Sequence, residues 1–366
     1  MIKVKIYGAG SIGNHLAYAC RSKGWDVTLC DIDTEALKRA KNDIYPSRYG
    51  KWDEKIRLSL IDDLKPEKFD LIIIGTPPGT HVDLALEVLM DYPPKALLIE
   101  KPLCAPSLSG CQKLLALAES TGTFVAVGYN HTLTKNTMRA VSIIKKGRIG
   151  QPLTISVGFC EHWGGIFKAH PWLEGPQDTY LGFSERGGGA CGEHSHAINI
   201  WQHFSHALGV GRIAEVSAMM DMVRTEDVKY DRVCQLNIRS EKGLVGTIVQ
   251  DVITEPAQKV LRVQGTDGFL EWHVNYDSNN DAVFYREEDG ETHKGLIQKT
   301  RPDDFIGEID HIEDVLEDKD IESPISLERG LDTMMVIAAA HISNKLDRTV
   351  KINYKEGYSL ESIKTV

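Results

Sequence analysis

The chain has 366 residues, the length of two ordinary domains at roughly 100–200 residues each. Hydrophobic residues make up 42% and charged residues 26% of the sequence, as in soluble globular proteins. The 42 Lys and Arg residues against 52 Asp and Glu residues give a formal net charge of -10, which argues against a nucleic acid or an anionic membrane surface as partner.

Cysteine usage and hydropathy predict where the protein works. The seven cysteines include no C-x-x-C pair, which is typical of a reduced protein. No run approaches the length of about 18 apolar residues that a membrane span needs, and strand-like residues from Ile2 onwards leave no room for a signal peptide. We therefore expect a cytoplasmic protein without a membrane partner.

The first predicted elements form a βαβ unit. Residues 2–7 are typical of a β-branched strand, 15–22 of a helix that Gly24 closes, and 26–32 of a second strand. Strands and helices then alternate as 69–75, 81–90, 96–102, 107–120 and 123–129. The strands are continuous apolar runs, which indicates burial on both faces, so we expect a parallel sheet covered by helices in a domain of residues 1–129.

The pattern changes near residue 130. Alternating strands dominate up to about residue 285, and they are predicted at 153–159, 212–220, 232–240, 243–251, 259–265 and 269–274. Two helices with apolar residues at three- and four-residue spacing follow, at 304–318 and 326–346. The predicted fold class is α/β, with a doubly wound parallel domain followed by an α+β domain of residues 130–366 that contains a large, mostly antiparallel open sheet.

The turn after the first strand reads Gly8-Ala9-Gly10-Ser11-Ile12-Gly13 and matches the dinucleotide-binding fingerprint. The first glycine permits the tight turn, the second lets a pyrophosphate approach the backbone, and the third lets helix and strand pack closely. Asp31 ends the next strand, where a carboxylate accepts both ribose hydroxyls and repels the 2′-phosphate of NADP(H). The alternative, a turn-forming Asp31, leaves the ribose without a partner. The predicted NAD contacts from this unit are Gly8, Gly10, Ser11, Ile12, Gly13, Asp31 and Ile32.

Two further motifs follow predicted strands at the edge where ligands of open α/β sheets bind: Gly75-Thr76-Pro77-Pro78-Gly79-Thr80-His81 and Glu100-Lys101-Pro102. With the glycine fingerprint, GYN at 128–130, GGG at 187–189 and the closing helices, they make the chain resemble the Gfo/Idh/MocA oxidoreductases over essentially its whole length. The resemblance implies a Rossmann domain, a second domain whose open sheet commonly forms the subunit interface, and hydride transfer between a nicotinamide and a carbinol carbon.

The resemblance also implies roles for single residues. Lys101 would lie beside the nicotinamide and the substrate as a catalytic residue, and Pro102 would follow a cis bond. Alcohol oxidation needs such a base because a proton must leave oxygen as hydride leaves carbon; the alternative is a surface lysine at a strand end. Further expected NAD contacts are Thr76, Pro77, His81, Glu100, Lys101 and Asn130, and Lys101 and Asn130 are also expected to contact the substrate.

The segment GGGACGEHSHAINIWQHF, residues 187–204, departs from the family pattern. The family follows its GGG with Asp-x-x-x-His; the alignment makes His196 the equivalent histidine and puts Gly192 in place of the aspartate, with Glu193 one position away. On a helix, His196, Asn199 and His203 share one stripe. We expect His196 to be catalytic and Glu193 to contact the substrate, while a core or capping histidine remains the alternative.

Metal binding is not expected here, because Glu193, His194 and His196 lack the i, i+4 spacing of zinc-binding helices. The preceding loop, residues 160–186, is rich in His and Trp and would suit a polyhydroxylated or anionic ligand through His162, Trp163 and Arg186. An ordinary Trp-containing loop packed over the second sheet is an equal alternative. Thr132, where many relatives carry arginine, indicates a different substrate.

The sequence therefore predicts an NAD-dependent oxidoreductase acting on a hydroxyl of a sugar, sugar acid, cyclitol or nucleotide-linked sugar. The alternative is an NAD-dependent glycoside hydrolase of the same fold, which oxidises its substrate transiently and eliminates the aglycone. A non-catalytic NAD-binding regulator is a third reading, which an intact Glu-Lys-Pro motif disfavours. A homodimer or homotetramer is expected.

Overall fold

The chain divides into two compact units in a computed structural model that describes residues 1–64, 67–288, 290–318 and 320–366. The first unit comprises Met1–Leu103, Gly110–Asn130 and Arg301–Glu328. The second comprises Cys104–Ser109, His131–Thr300 and Arg329–Val366. Residues 301–328, which the sequence assigns to the domain 130–366, thus pack within the first unit.

The secondary structure follows in chain order. The strands within the described ranges are β1 (Lys3–Tyr7), β2 (Asp26–Asp31), β3 (Arg57–Leu60), β4 (Leu71–Ile74), β5 (Ala96–Ile99), β6 (Phe124–Val127), β7 (Pro152–Cys160), β8 (Ile213–Arg224), β9 (Lys229–Ser240), β10 (Val245–Asp251), β11 (Gln258–Gly265), β12 (Gly268–Val274), β13 (Asn280–Glu287), β14 (His293–Gln298), β15 (Val350–Ile352) and β16 (Ile363–Thr365). The helices are α1 (Ser11–Ser22), α2 (Thr34–Arg39), α3 (Tyr45–Tyr49), α4 (His81–Asp91), α5 (Cys111–Thr121), α6 (Lys135–Lys145), α7 (Gly164–Ala169), α8 (Gly189–Glu193), α9 (His196–Ala207), α10 (Asp303–Glu317) and α11 (Leu327–Leu346).

The first unit contains a parallel sheet with the strand order β3-β2-β1-β4-β5-β6. Every residue of β4 (LIII) and β5 (ALLI) is buried, which is why these segments read as continuous apolar runs. The predicted doubly wound sheet is confirmed. Helix α1 begins at Ser11 rather than at the predicted residue 15, so the third glycine of the fingerprint lies inside the helix. The half-buried edge strand β3 was not predicted.

Helix α10 packs on α1, which explains why residues 301–328 belong to the first unit. The ring of Phe305 stacks on the ring of His15 with 4.5 Å between centroids. The Lys23 ammonium forms ion pairs with Asp310 at 2.7 Å and with Glu313 at 2.5 Å. The helix periodicity at 304–318 therefore predicts α10 correctly, while its packing partner lies almost 300 residues away and leaves no local signal.

The second unit contains a sheet with the order β14-β13-β12-β11-β7-β10-β9-β8-β15-β16. Neighbouring strands are antiparallel except for β7 and β10. Helices α6 and α9 pack on one face, where Trp272 Nε1 donates to Thr137 Oγ1 at 2.9 Å and Trp201 Nε1 donates to the Ile155 carbonyl at 3.1 Å. The predicted large, mostly antiparallel sheet is confirmed.

The other face of this sheet carries a different set of side chains. Met219, Gln235 and Val249 are aligned across neighbouring strands, with Gly158 and Val260 continuing the row. Met219 is 74% exposed. Helices α6 and α9 lie on the opposite face of the sheet. None of the described helices combines the length and the apolar character needed to cross a lipid bilayer.

Candidate functional site

The glycine fingerprint places main-chain atoms where no side chain fits. Gly8 has a φ of +98°, and a Cβ there would lie 2.6 Å from the Gly75 carbonyl oxygen. A Cβ on Gly13 would lie 1.9 Å from the Gly8 carbonyl oxygen. Around Gly10, in contrast, nothing lies within 4 Å of the Cβ position. Two glycines therefore serve backbone packing, and the middle one leaves open space.

That open space lies at the N-terminus of α1. Gly10 is the N-cap residue, and it has no side chain that could cap the amides of the first turn. The amides of a first helical turn have no intrahelical partner, and they carry the positive end of the helix dipole. Ser11 and Ile12 are half-buried there. The residues present thus fit a dinucleotide diphosphate.

Asp31 ends β2 and accepts hydrogen bonds from the main chain. Its Oδ2 accepts from the Ala9 amide at 2.8 Å, and its Oδ1 accepts from the Asp33 amide at 3.0 Å. An ionised carboxylate has about four acceptor positions, so capacity remains for ribose hydroxyls. The next residue, Ile32, is 83% exposed, as an apolar contact for a base would be. Sequence reasoning missed the bond to Ala9, by which Asp31 also holds the glycine turn.

His81 joins the two other motifs of the first unit. The ring is fully buried, with Nε2 at 2.6 Å from the Thr76 carbonyl oxygen and Nδ1 at 3.1 Å from the Pro102 carbonyl oxygen. Burial lowers the pKa of His81 to about 4, against the weaker opposing effect of these carbonyl groups. The ring therefore holds the loops together from the interior. Thr76 is half-buried and Pro77 exposed, so both can face a ligand.

The Glu-Lys-Pro motif follows β5, and the bond between Lys101 and Pro102 is cis, as expected. The carboxylate of Glu100 is buried against Gly128, where a Cβ would lie 3.0 Å from Oε1. Glu100 Oε2 also accepts from the Lys101 amide at 3.3 Å. This contact explains the glycine of the GYN motif. Asn130 is buried at the end of the same motif, and the Lys101 side chain is half-buried.

In the second unit, the segment that departs from the family pattern is closed to an aspartate at position 192. A Cβ on Gly192 would lie 2.0 Å from the Gly187 carbonyl oxygen. The backbone therefore leaves no room for the side chain that the alignment would put there. Glu193 is half-buried and accepts from the Tyr180 hydroxyl at 3.3 Å.

His196 is the first residue of α9, and its ring packs against the ring of another histidine. The rings of His196 and His131 lie 4.5 Å apart between centroids, nearly perpendicular at 74°. His131 in turn packs edgewise on Phe159 and Trp272. Sequence reasoning missed His131, although its position directly after the GYN motif was a usable signal. Among residues of the predicted stripe, Asn199 is buried and donates to Thr333 Oγ1 at 3.1 Å.

Two fully buried side chains hold this segment on the sheet. Asp231 Oδ2 accepts from the Cys191 amide at 2.7 Å, and Oδ1 accepts from the Ser184 hydroxyl at 2.7 Å. Gln250 Nε2 donates to the His194 carbonyl at 2.7 Å. A Cβ on Gly189 would lie 2.0 Å from Asp231 Oδ1, which explains the last glycine of GGG. Burial raises the pKa of Asp231 to about 6.

The loop before this segment is divided between interior and surface. Trp163 is buried, with its ring 4.8 Å from that of Tyr230. His162 is exposed, and its Nδ1 accepts from the Gly164 amide at 3.0 Å. Arg186 is exposed above the ring of Phe183. Trp163 therefore packs as in the alternative of an ordinary Trp-containing loop, while His162 and Arg186 remain accessible. No group of three or more His, Cys, Asp or Glu side chains in the described ranges could hold a metal ion.

Comparison with known proteins decides the family. Residues 2–129 match the model described as an oxidoreductase family with an NAD-binding Rossmann fold, and residues 137–271 match the GFO/IDH/MocA C-terminal domain. The chain belongs to the Gfo/Idh/MocA family. The resemblance predicted from the motifs is confirmed, and NAD is the cofactor of this Rossmann domain.

Two curated relatives and one solved structure show the similarity at low sequence identity. A 1-carboxy-3-chloro-3,4-dihydroxycyclohexa-1,5-diene dehydrogenase from Comamonas testosteroni is 28% identical over 61% of this chain and 50% of its own length. An inositol 2-dehydrogenase from Salmonella typhimurium is 29% identical over 42% of this chain and 44% of its own length. The chain thus spans half or less of the length of these curated relatives. An oxidoreductase from Agrobacterium radiobacter, crystallised with NAD+, L-tartaric acid and magnesium, has the same fold, with a TM-score of 0.74, 19% identity, and coverage of 96% of this chain and 98% of its own.

Gly13→Ala and Gly10→Ala should separate folding from cofactor binding. The added methyl group at position 13 meets the Gly8 carbonyl, so we expect a loss of about 1–3 kcal/mol in the free energy of unfolding. At position 10 the methyl group meets no protein atom, so stability should stay near the parent value while NAD binding weakens. Urea unfolding and calorimetric NAD titration measure the two effects. Equal stability of the two variants would contradict this assignment of the glycines.

Acid should destabilise the protein through its buried neutral histidines. The folded pKa of His81 is about 4 and an unfolded histidine titrates near ~6.5, so the unfolded chain gains a proton that the folded chain does not as pH falls between these values. Stability is complete above about pH 6.5 and falls by up to ~1.4 kcal/mol per pH unit for each such histidine. Urea midpoints at about pH 7 and about pH 5 measure this slope.

His81→Gln should reduce that slope by about one proton, whereas His162→Gln, at an exposed position, should not change it. A slope that His81→Gln leaves unchanged would show that His81 is not kept neutral by the fold.

Proposed function

We propose that this protein is an NAD-dependent oxidoreductase that transfers hydride between the nicotinamide and a hydroxyl-bearing carbon of a sugar, sugar acid, cyclitol or nucleotide-linked sugar. The observation that carries the proposal is the position of Lys101. It follows β5, which neighbours β4, and β4 neighbours β1, so Lys101, the Thr76 loop and the glycine turn follow adjacent parallel strands at one sheet edge. Ligands of open α/β sheets bind at this edge.

The proposed chemistry requires a proton acceptor. Oxidation of a secondary alcohol moves hydride from carbon and a proton from oxygen, and it leaves a carbonyl group. Bound NAD supplies the hydride acceptor. We assign the proton transfer to the Lys101 amine, and we assign to His196 contact or proton exchange with the substrate hydroxyl. Asn130 and Glu193 are the further polar groups proposed to bind the substrate.

The proposed substrate class rests on two kinds of support. The curated relatives are named as dehydrogenases of a dihydroxycyclohexadiene and of inositol, both six-membered rings with hydroxyl groups. In this chain, the exposed His162 and Arg186 could contact hydroxyl or acid groups. Thr132 and Gly192 differ from the common family pattern, so the substrate is proposed as a class and not as an individual sugar.

We also propose a preference for NAD over NADP. The Asp31 carboxylate is held by the Ala9 and Asp33 amides, so its negative charge stays at the end of β2. A 2′-phosphate placed there would be repelled at short range.

The function is tested by following NADH formation with inositols, sugars and sugar acids, beside aryl glycosides as a second panel. Stoichiometric NADH with an oxidised product supports the dehydrogenase. Release of the aryl group without net NADH would instead identify an NAD-dependent glycosidase, the alternative left open by the unusual segment at residues 187–204. NAD binding without either reaction would indicate a regulator.

Lys101→Met tests the proposed base. Methionine keeps most of the length and the apolar stem but removes the amine. Because positioned acid–base groups contribute about 10²–10⁴-fold, we expect a rate loss in that range for the chemical step while NAD affinity is retained. Single-turnover kinetics and NAD titration measure both. Turnover within a few-fold of the parent would remove Lys101 from this role and leave it to His196.

We propose a homodimer or homotetramer built on the face of the larger sheet opposite α6 and α9. Met219, Val249 and Val260 lie in one row across that face, and Met219 is 74% exposed. Light scattering should report a multiple of the 40.8 kDa chain mass, and Met219→Glu should shift it towards the single chain. Met90→Glu, which makes the same substitution at a 55% exposed methionine of α4 in the first unit, is the matched control. A parent protein of 40.8 kDa at micromolar concentration would contradict the proposal.

A further inference from the structure

Arg48 lies against the first residue of the cofactor-binding helix. From α3, its Nη1 donates to the Ser11 carbonyl at 2.8 Å and its Nη2 donates to the Ser11 hydroxyl at 2.7 Å. Ser11 begins α1, directly after the open position at Gly10. The guanidinium is therefore held one residue from the free amides that fit a diphosphate.

An aromatic cluster fixes the segment that carries Arg48. The neighbouring Tyr49 stacks on Tyr18 of α1 with 3.7 Å between centroids and 2° between planes. Tyr45 packs edgewise on Tyr49 at 5.0 Å and on Trp52 at 5.2 Å. Because α3 is only five residues long, these contacts and not the helix itself hold Arg48 in place.

Among the residues that the structure describes, no carboxylate offsets the charge of Arg48. A guanidinium has five N–H donors, and the hydrogen bonds from Arg48 to Ser11 use two of them. Across residues 1–64, 67–288, 290–318 and 320–366, no carboxylate forms an ion pair with it. Arg301 is instead the charged neighbour. Burial lowers the pKa of Arg48, and the charge of Arg301 lowers it further.

A half-buried guanidinium such as that of Arg48 is costly without a carboxylate partner unless an anion binds to it. Burial is the main cause that lowers the pKa of His15 to about 3, and the charges of Arg48 and Arg301 lower it further. This ring therefore remains neutral and does not compete for the anion. The planar fork of an arginine matches phosphate oxygens in two places at once. Arg48 is thus a cation beside the N-terminus of α1, and none of the described carboxylates forms an ion pair with it.

We propose that Arg48 binds the diphosphate of the dinucleotide, with donors that Ser11 does not use. This inference rests on NAD binding by the first unit and adds a charged contact from outside the glycine fingerprint. The proposal makes the segment between β2 and β3, which contains α2 and α3, part of the cofactor site. Arg301 would add long-range attraction to the same anion.

Calorimetric titration of NAD+ and ADP into Arg48→Gln tests the proposal. A hydrogen bond to a charged group is worth about 1.5–3 kcal/mol, so both affinities should fall about ten- to hundred-fold. Arg57→Gln is the matched control, because Arg57 is an exposed arginine of β3 paired with Asp26 and Glu67. It should leave both affinities within about two-fold of the parent. Arg48→Lys keeps the charge without the fork and should show an intermediate loss.

Several outcomes overturn the inference. Affinities of Arg48→Gln within two-fold of the parent would do so, and so would a loss for NAD+ without a loss for ADP, because ADP carries the same diphosphate. If Arg48→Gln does not fold, the parent protein provides the test: saturating ADP should protect Arg48 from phenylglyoxal, as peptide mapping measures, whereas adenosine should not. Unchanged modification overturns the inference. Failure of the parent to bind NAD+ would instead overturn NAD binding itself.

Discussion

The contact between Gly13 and the Gly8 carbonyl is the constraint on which the first unit depends. It brings the start of α1 against the end of β1 at a distance that no side chain permits. Gly8 in turn lies against the Gly75 carbonyl, so the loop after β4 packs against the same turn between β1 and α1. The open amides of α1 and the loops after β1 and β4 are therefore set by backbone packing, before any ligand contributes.

Carboxylates and one histidine extend this arrangement through main-chain hydrogen bonds. Asp31 accepts from the Ala9 amide, Glu100 accepts from the Lys101 amide, and the neutral His81 ring lies between the carbonyls of Thr76 and Pro102 and donates to one of them. Loop backbone groups must find partners when water is excluded, and these side chains provide them. Residues that the motifs mark as ligand contacts thus also shape the loops, so a ligand meets groups that are already ordered.

In the second unit, other buried side chains hydrogen-bond to the loop backbone. Its GGG segment is held by the buried Asp231 and Gln250, and the close approach of Asp231 to Gly189 requires a glycine there. The backbone is equally closed at Gly192, which accounts for the absence of the family's aspartate. The ring of His196 in this unit packs against the ring of His131.

The sequence alone determined the features that depend on local pattern. Continuous apolar runs predicted the parallel strands, because strands buried on both faces need apolar residues throughout. Alternation predicted the second sheet, because its strands are buried on one face only. The glycine fingerprint with Asp31 predicted the dinucleotide site, because close approach of the backbone requires glycine. The family motifs predicted the cis bond before Pro102, which the structure confirms; the roles that they imply for Lys101 and His196 stay predictions.

Only the tertiary structure decided which distant segments meet. The packing of residues 301–328 on α1, the burial of His81 between two loops, the pairing of His131 with His196, and the position of Arg48 on Ser11 all join residues that are far apart along the chain. Such contacts produce no periodic pattern in the sequence, because the residues next to a side chain along the chain do not depend on which distant residue it contacts. The sequence therefore predicted the elements and the motif residues, and the fold decided the residues that hold them in place.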